Sequence, residues 1–129
     1  MCGDHDEHDH EHDHLEEETF KRLIHLASHH QVQLNPEAGS TPATLEVESL
    51  RLAYLEGLFR AGLTRAVNDA AKIPEGERID ILAGQSIVFA RLAGMLAGLL
   101  PPGSEQFHTV INALTQGYQE AARHDHGHT

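Results

Sequence analysis

Five histidines fall within ten residues near the start of the sequence, at His5, His8, His10, His12 and His14, and every residue between them is Asp or Glu. Three more, His124, His126 and His128, close the other end in the stretch RHDHGHT. Neutral imidazole is the commonest side-chain ligand of transition metals such as Zn, Ni, Co and Cu. Strings of His-x-His and His-x-x-His let a pliable chain wrap one ion with three or four nitrogens. The interleaved carboxylates add oxygen ligands and concentrate cations. They also favour the protonated imidazole, so affinity is expected to fall with pH. A flexible chelator has no preformed geometry and selects by intrinsic affinity, with Cu, Ni and Zn above Mg or Ca. That chemistry suits storage, buffering or delivery better than catalysis. The alternative is an acidic, solubilising tail that holds no metal.

A second arrangement lies further along. His25 and His29 are four residues apart and share a face if the segment is helical. Such a pair can hold a metal in fixed geometry, but a site needs a third or fourth ligand. Glu18, His108 or a second copy of the chain are the candidates. The alternative is a solvated face opposite Phe20, Leu23, Ile24 and Ala27. His30 points away from His29, and His108 reads as a surface residue. Cys2, the single cysteine, stands near His5, and its thiolate suits Ni and Cu; otherwise it is an exposed residue of a disordered end.

Composition removes other classes. The formal charge is −11 over 129 residues. Residues 1–18 hold nine acids and no Lys or Arg, and the rest of the chain, with eleven acids against nine bases, is near neutral. There is no basic stripe and no Trp, so nucleic acid is not an expected partner. One cysteine allows no intramolecular disulfide. The first eighteen residues lack the basic start and apolar run of a signal peptide. Residues 79–100 alone raise a membrane reading, and Asp80, Gln85 and Arg91 within them argue against it. A cytoplasmic chain without a membrane partner is expected. No phosphate-binding loop, nucleophile motif, CxxC or repeated Glu-x-x-His is present, so no enzyme is expected.

The elements that must position these groups read as helices. Residues 1–14 have almost no apolar surface to offset the entropy of ordering, so a disordered tail is expected. Leu15, Phe20, Leu23, Ile24 and Ala27 recur at helical steps, and Glu16–Glu18 suit a helix N-terminus. Asn35-Pro36 should end that helix. Thr41-Pro42 reads as an N-cap followed by proline, opening a long helix to about Lys72. Leu45, Leu52, Phe59, Ala66 and Ile73 fall at seven-residue steps, the pattern of a helix packed at a shallow angle. Pro74-Glu75-Gly76 breaks it.

A third helix is expected from Glu77 to Leu100. It carries a small-residue line of Ala83, Ala90 and Ala97, with Gly94 and Gly98 alongside. Interior glycines cost about 1 kcal/mol each, so Gly84, Gly94 and Gly98 call for close packing, against a bundle neighbour or against a second copy across a dimer axis. Gln85 and Ser86 should bond each other or the backbone. Ser104 can cap a fourth helix whose face is Phe107, Val110, Ile111, Leu114, Tyr118 and Ala121, running to about Arg123. The fold class is all-α, a bundle of about four helices over residues 15–123, with disordered His/Asp-rich tails at 1–14 and 124–129.

In composition the two tails resemble the His-rich segments of nickel- and zinc-handling proteins, such as metal chaperones for hydrogenase or urease and zinc GTPases. The resemblance covers only the ends, and the body lacks the nucleotide-binding motifs of the GTPases, so it implies metal binding without an activity. The expectation is a small cytoplasmic accessory protein, a homodimer, that carries, buffers or delivers Ni or Zn, with Co and Cu as further candidates. A metalloenzyme or transporter would be its partner. Two alternatives stand beside it: a helical interaction module with an incidental acidic tail, and a switch in which metal bridges a tail to His25 and His29.

Overall fold

The computed structural model describes the backbone of residues 3–101, 103 and 105–127, and the side chains of 14–101, 103 and 105–123. Four α-helices account for most of it: α1 (Gly3–His29), α2 (Glu48–Lys72), α3 (Arg78–Gly98) and α4 (Gln106–Gly127). Short 3-10 turns at Pro36–Ala38 and Glu75–Glu77 precede α2 and α3. Among the described residues there is no strand, and the all-α expectation holds.

Helix boundaries differ from the sequence expectation in four places, the last being α4, expected to end near Arg123 before a disordered tail and running on to Gly127. The helix expected to begin at Leu15 is carried back to Gly3. No Gly or Pro interrupts residues 4–14, and their acids sit at the positive end of the helix macrodipole. The same helix stops at His29, well short of Asn35-Pro36. Gln31 takes a left-handed φ of 62°. Val32 N–H then donates to Ala27 O at 2.9 Å and Gln31 N–H to Ser28 O at 3.0 Å, which caps the last carbonyls in a Schellman arrangement. Thr41-Pro42 does not open α2, whose N-cap is Val47. Thr44 Oγ1 instead accepts from Glu46 N–H at 3.1 Å, and the Arg51 guanidinium donates to Leu45 O at 3.1 Å. These bonds offer the backbone an alternative to helix over Gly39–Val47. Leu45, read as part of the seven-residue row, is therefore a loop residue.

The chain divides into two compact units, one of residues 34–90 and one of residues 1–33 with 91–129. In the first, α2 and the N-terminal half of α3 form an antiparallel hairpin around Pro74–Glu77. Gln85 Nε2 donates to Ala66 O at 3.2 Å and Arg78 Nε to Ala70 O at 3.2 Å, which fixes the register. Ser86 Oγ donates to Ala83 O at 2.8 Å within its own helix. Both polar side chains thus bond backbone, one of the two outcomes expected of them. Gln85 Oε1 is buried without a described partner. Along α2, the exposed Arg65 and the half-buried Asp69 pair at 2.8 Å.

The second unit holds α1, the C-terminal end of α3, and α4. Leu99, 8% exposed, is the one buried hydrophobic side chain among the described residues. Leu99 N–H to Leu96 O and Leu100 N–H to Ala97 O, at 3.2 and 3.1 Å, close the last turn of α3. The expected apolar face of α4 lies along one stripe of that helix and remains open, with Tyr118 79% exposed. Ser104, the expected cap, lies outside the described residues. The glycines of α3 are not tightly packed: a methyl group added at Gly84, Gly94 or Gly98 would find nothing within 4 Å.

Candidate metal centre

A helix rises 1.5 Å and turns about 100° per residue. On α1 this places His14, Glu18, His25 and His29 on one stripe, within about 60° of one another. Ligands on one stripe must also be close along the axis. His25 and His29 are one turn apart, and their rings meet edge to face with centroids 5.0 Å apart and planes at 83°. Both are exposed. His29 stands in the last turn of α1, where the macrodipole favours a cation.

The helix also explains why the pair stays a pair. Glu18 is seven residues before His25, about 10.5 Å of rise. One ion with bonds of about 2 Å cannot span that. Glu18 and His25 do border the same open cleft of about 600 Å³, together with Lys21, Arg22 and Leu26 of α1 and Gly94, Met95, Gly98 and Leu99 of α3. Lys21 leans back to Glu17 at 3.6 Å. His108 packs its ring against Phe107, with centroids 6.2 Å apart, and is exposed, the surface role expected of it. Among the described residues no three His, Cys, Asp or Glu side chains gather closely enough to hold one metal. Neither Glu18 nor His108 completes the His25–His29 pair.

The other sequence-derived ligands stand as follows. His14 is exposed on α1. The backbone at His5, His8, His10 and His12 belongs to α1, and that at His124 and His126 to α4, while their side chains lie outside the described residues. Cys2 and His128 lie outside them altogether. Sequence reasoning did not find the cleft that Glu18, Arg22 and His25 share with Gly94 and Gly98. Its two walls are remote in sequence, and no spacing rule links them. Among the described residues one helical stretch, Glu75–Gly98, is long and apolar enough by length and composition to cross a membrane, with a mean hydropathy of 1.5. No protein-family model matches this chain, and comparison with curated proteins and with solved structures likewise finds no similar one.

Proposed function

We propose that this chain is a transition-metal-binding accessory protein that carries, buffers or delivers Ni or Zn, and by the same ligand chemistry Co or Cu, without catalysis of its own. In this reading it works in the cytoplasm as a homodimer and hands metal to a metalloenzyme or a transporter. The observation that carries the reading is the concentration of eight of the twelve histidines in residues 1–14 and 124–129, with the His25–His29 pair, whose rings stand 5.0 Å apart on the open side of α1, as an example of the one-turn spacing. Four-residue spacing recurs in the same helix at positions 8 and 12 and at positions 10 and 14. A helix that sets one such pair of rings side by side offers the same one-turn spacing to the others. Two imidazoles leave coordination positions for water, for carboxylates or for an acceptor's ligands, which suits transfer more than permanent storage.

The test is calorimetric titration of the metal-free chain with Ni and with Zn at neutral pH, beside a chain lacking residues 1–14 and 124–129. Submicromolar binding that the truncation removes supports a carrier. Tight binding that survives it moves the site to His25 and His29 and favours the switch. Weak binding by both forms leaves a helical interaction module. The exposed apolar faces of α2, α3 and α4 favour that second reading independently of metal.

A further inference from the structure

The hairpin of residues 34–90 exposes a row of large apolar side chains along one broad side and is richer in charge along the other. On α2 the side that meets α3 is marked by Ala66, whose carbonyl accepts from Gln85, and by the half-buried Gly62, Asp69 and Ala70. From the border of that side round to about a quarter-turn beyond Ala66, Phe59, Leu52, Leu63 and Val67 form a row within about 80°. On α3 the side that meets α2 is marked by Ile81 and Gln85. Leu82 and Phe89 lie about a quarter-turn on from it in the same rotational sense. Because the two helices run antiparallel, these turns bring both rows to the same side of the hairpin. All six side chains are exposed, Phe59 by 62%. The opposite side carries Arg65, Asn68, Lys72 and Asp80, with Leu58 and Ile87 among them, all exposed.

We propose that this apolar side is the interface with a second copy of the chain, two hairpins closing face to face into an intermolecular four-helix bundle. Two helices bury one stripe each against one another, and a second layer is needed to cover the other. The area fits. Six half-exposed large apolar side chains present on the order of 600 Å², close to the roughly 800 Å² that each partner brings to a standard stable interface. An isologous contact needs only one patch, complementary to itself. Charges of both signs stand one turn apart at the α2 row, Glu56 within it and Arg60 at its edge, so a second copy meets no excess of one sign. A lipid surface fits less well. It would have to accept Glu56 and Arg60 at the α2 row. This inference names the surface for the homodimer in the reading above and does not rest on metal binding.

The test is sedimentation of the full-length metal-free chain at micromolar concentration in EDTA, with helicity followed by circular dichroism. The wild type is expected to be a dimer. Phe59→Glu and Phe89→Glu are expected to be monomers of unchanged helicity, and Ile87→Glu, equally apolar and exposed but off this side, a dimer. If the charged variants lose helicity, Phe59→Ala serves instead and is expected to raise the dimer dissociation constant at least tenfold. A monomeric wild type overturns the proposal, as does a dimer that Phe59→Glu and Phe59→Ala leave intact. A monomer that floats with phosphatidylcholine–phosphatidylglycerol vesicles also overturns it, in favour of lipid. Working in EDTA separates this result from that of the metal titration.

Discussion

Helices α1 and α2 are of similar length, 27 and 25 residues, and present different side chains along their open stripes. In α1 the open stripe is His14, Glu18, His25 and His29, groups that bind cations. In α2 it is Leu52, Phe59, Leu63 and Val67, groups that bind other apolar surface. The stripes differ in kind, although α1 also exposes Leu15 and Phe20 and α2 also exposes Glu56. Ligand chemistry needs lone pairs in reach of water and ions, and an interface core needs their absence, because an unpaired polar group buried there costs about 1–3 kcal/mol. Placing the two on separate helices lets each be removed without the other.

The largest effect should come from the ends. Deleting residues 1–14 and 124–129 removes eight of twelve histidines. It is expected to weaken Ni or Zn binding by about a hundredfold, or about 2.7 kcal/mol, while the sedimentation coefficient stays that of a dimer. Calorimetry and sedimentation on one preparation would read both. A truncated chain that also dissociates would break the separation, because α1 would then serve assembly too. Phe59→Glu is the reciprocal change. Its metal stoichiometry per chain, measured by calorimetry, is expected to equal that of the wild type even as the dimer is lost.

A smaller effect is expected at the fixed pair. In the truncated chain, His25→Ala with His29→Ala should remove the residual Ni or Zn affinity by about tenfold, or about 1.4 kcal/mol. His30→Ala, one residue outside the pair, should change it little. Equal effects would mean that any exposed histidine on α1 suffices and that the 5.0 Å ring pair has no special role.

These contrasts also mark what the sequence could and could not tell. Four helices were legible because apolar spacing survives any choice of topology, and the His25–His29 pair because four-residue spacing is a local property. The ends were not. Thr41-Pro42 has the form of a helix start, yet Thr44 and Arg51 hold the following backbone in a loop through bonds that no cap rule anticipates. The stop at His29 depends on Gln31 at a φ of 62°, a conformation expected of Gly or Asn. No residue type signalled it. The third ligand was sought at Glu18 by face alone. Axial rise, the other half of helix geometry, removes it. The hairpin's apolar side is legible only once Ala66 and Gln85 show which faces of α2 and α3 meet.

The smallest effect sharpens where α3 packs. The row of small residues suggested a helix pressed against another, and in that case a methyl group at Gly84 would clash. In the structure Gly84 has open space where a Cβ would stand, and it lies on the charged side of the hairpin. Gly in a helix interior is less favourable than Ala by about 0.5–1 kcal/mol, because the unfolded chain loses more freedom. Gly84→Ala is therefore expected to stabilise the protein by about that amount, seen as a higher midpoint in urea with an unchanged slope, and to leave the dimer intact. Destabilisation with loss of the dimer would instead put the close helix contact along the glycines, and would move the interface from the Phe59 side of α3 to the Gly84 side.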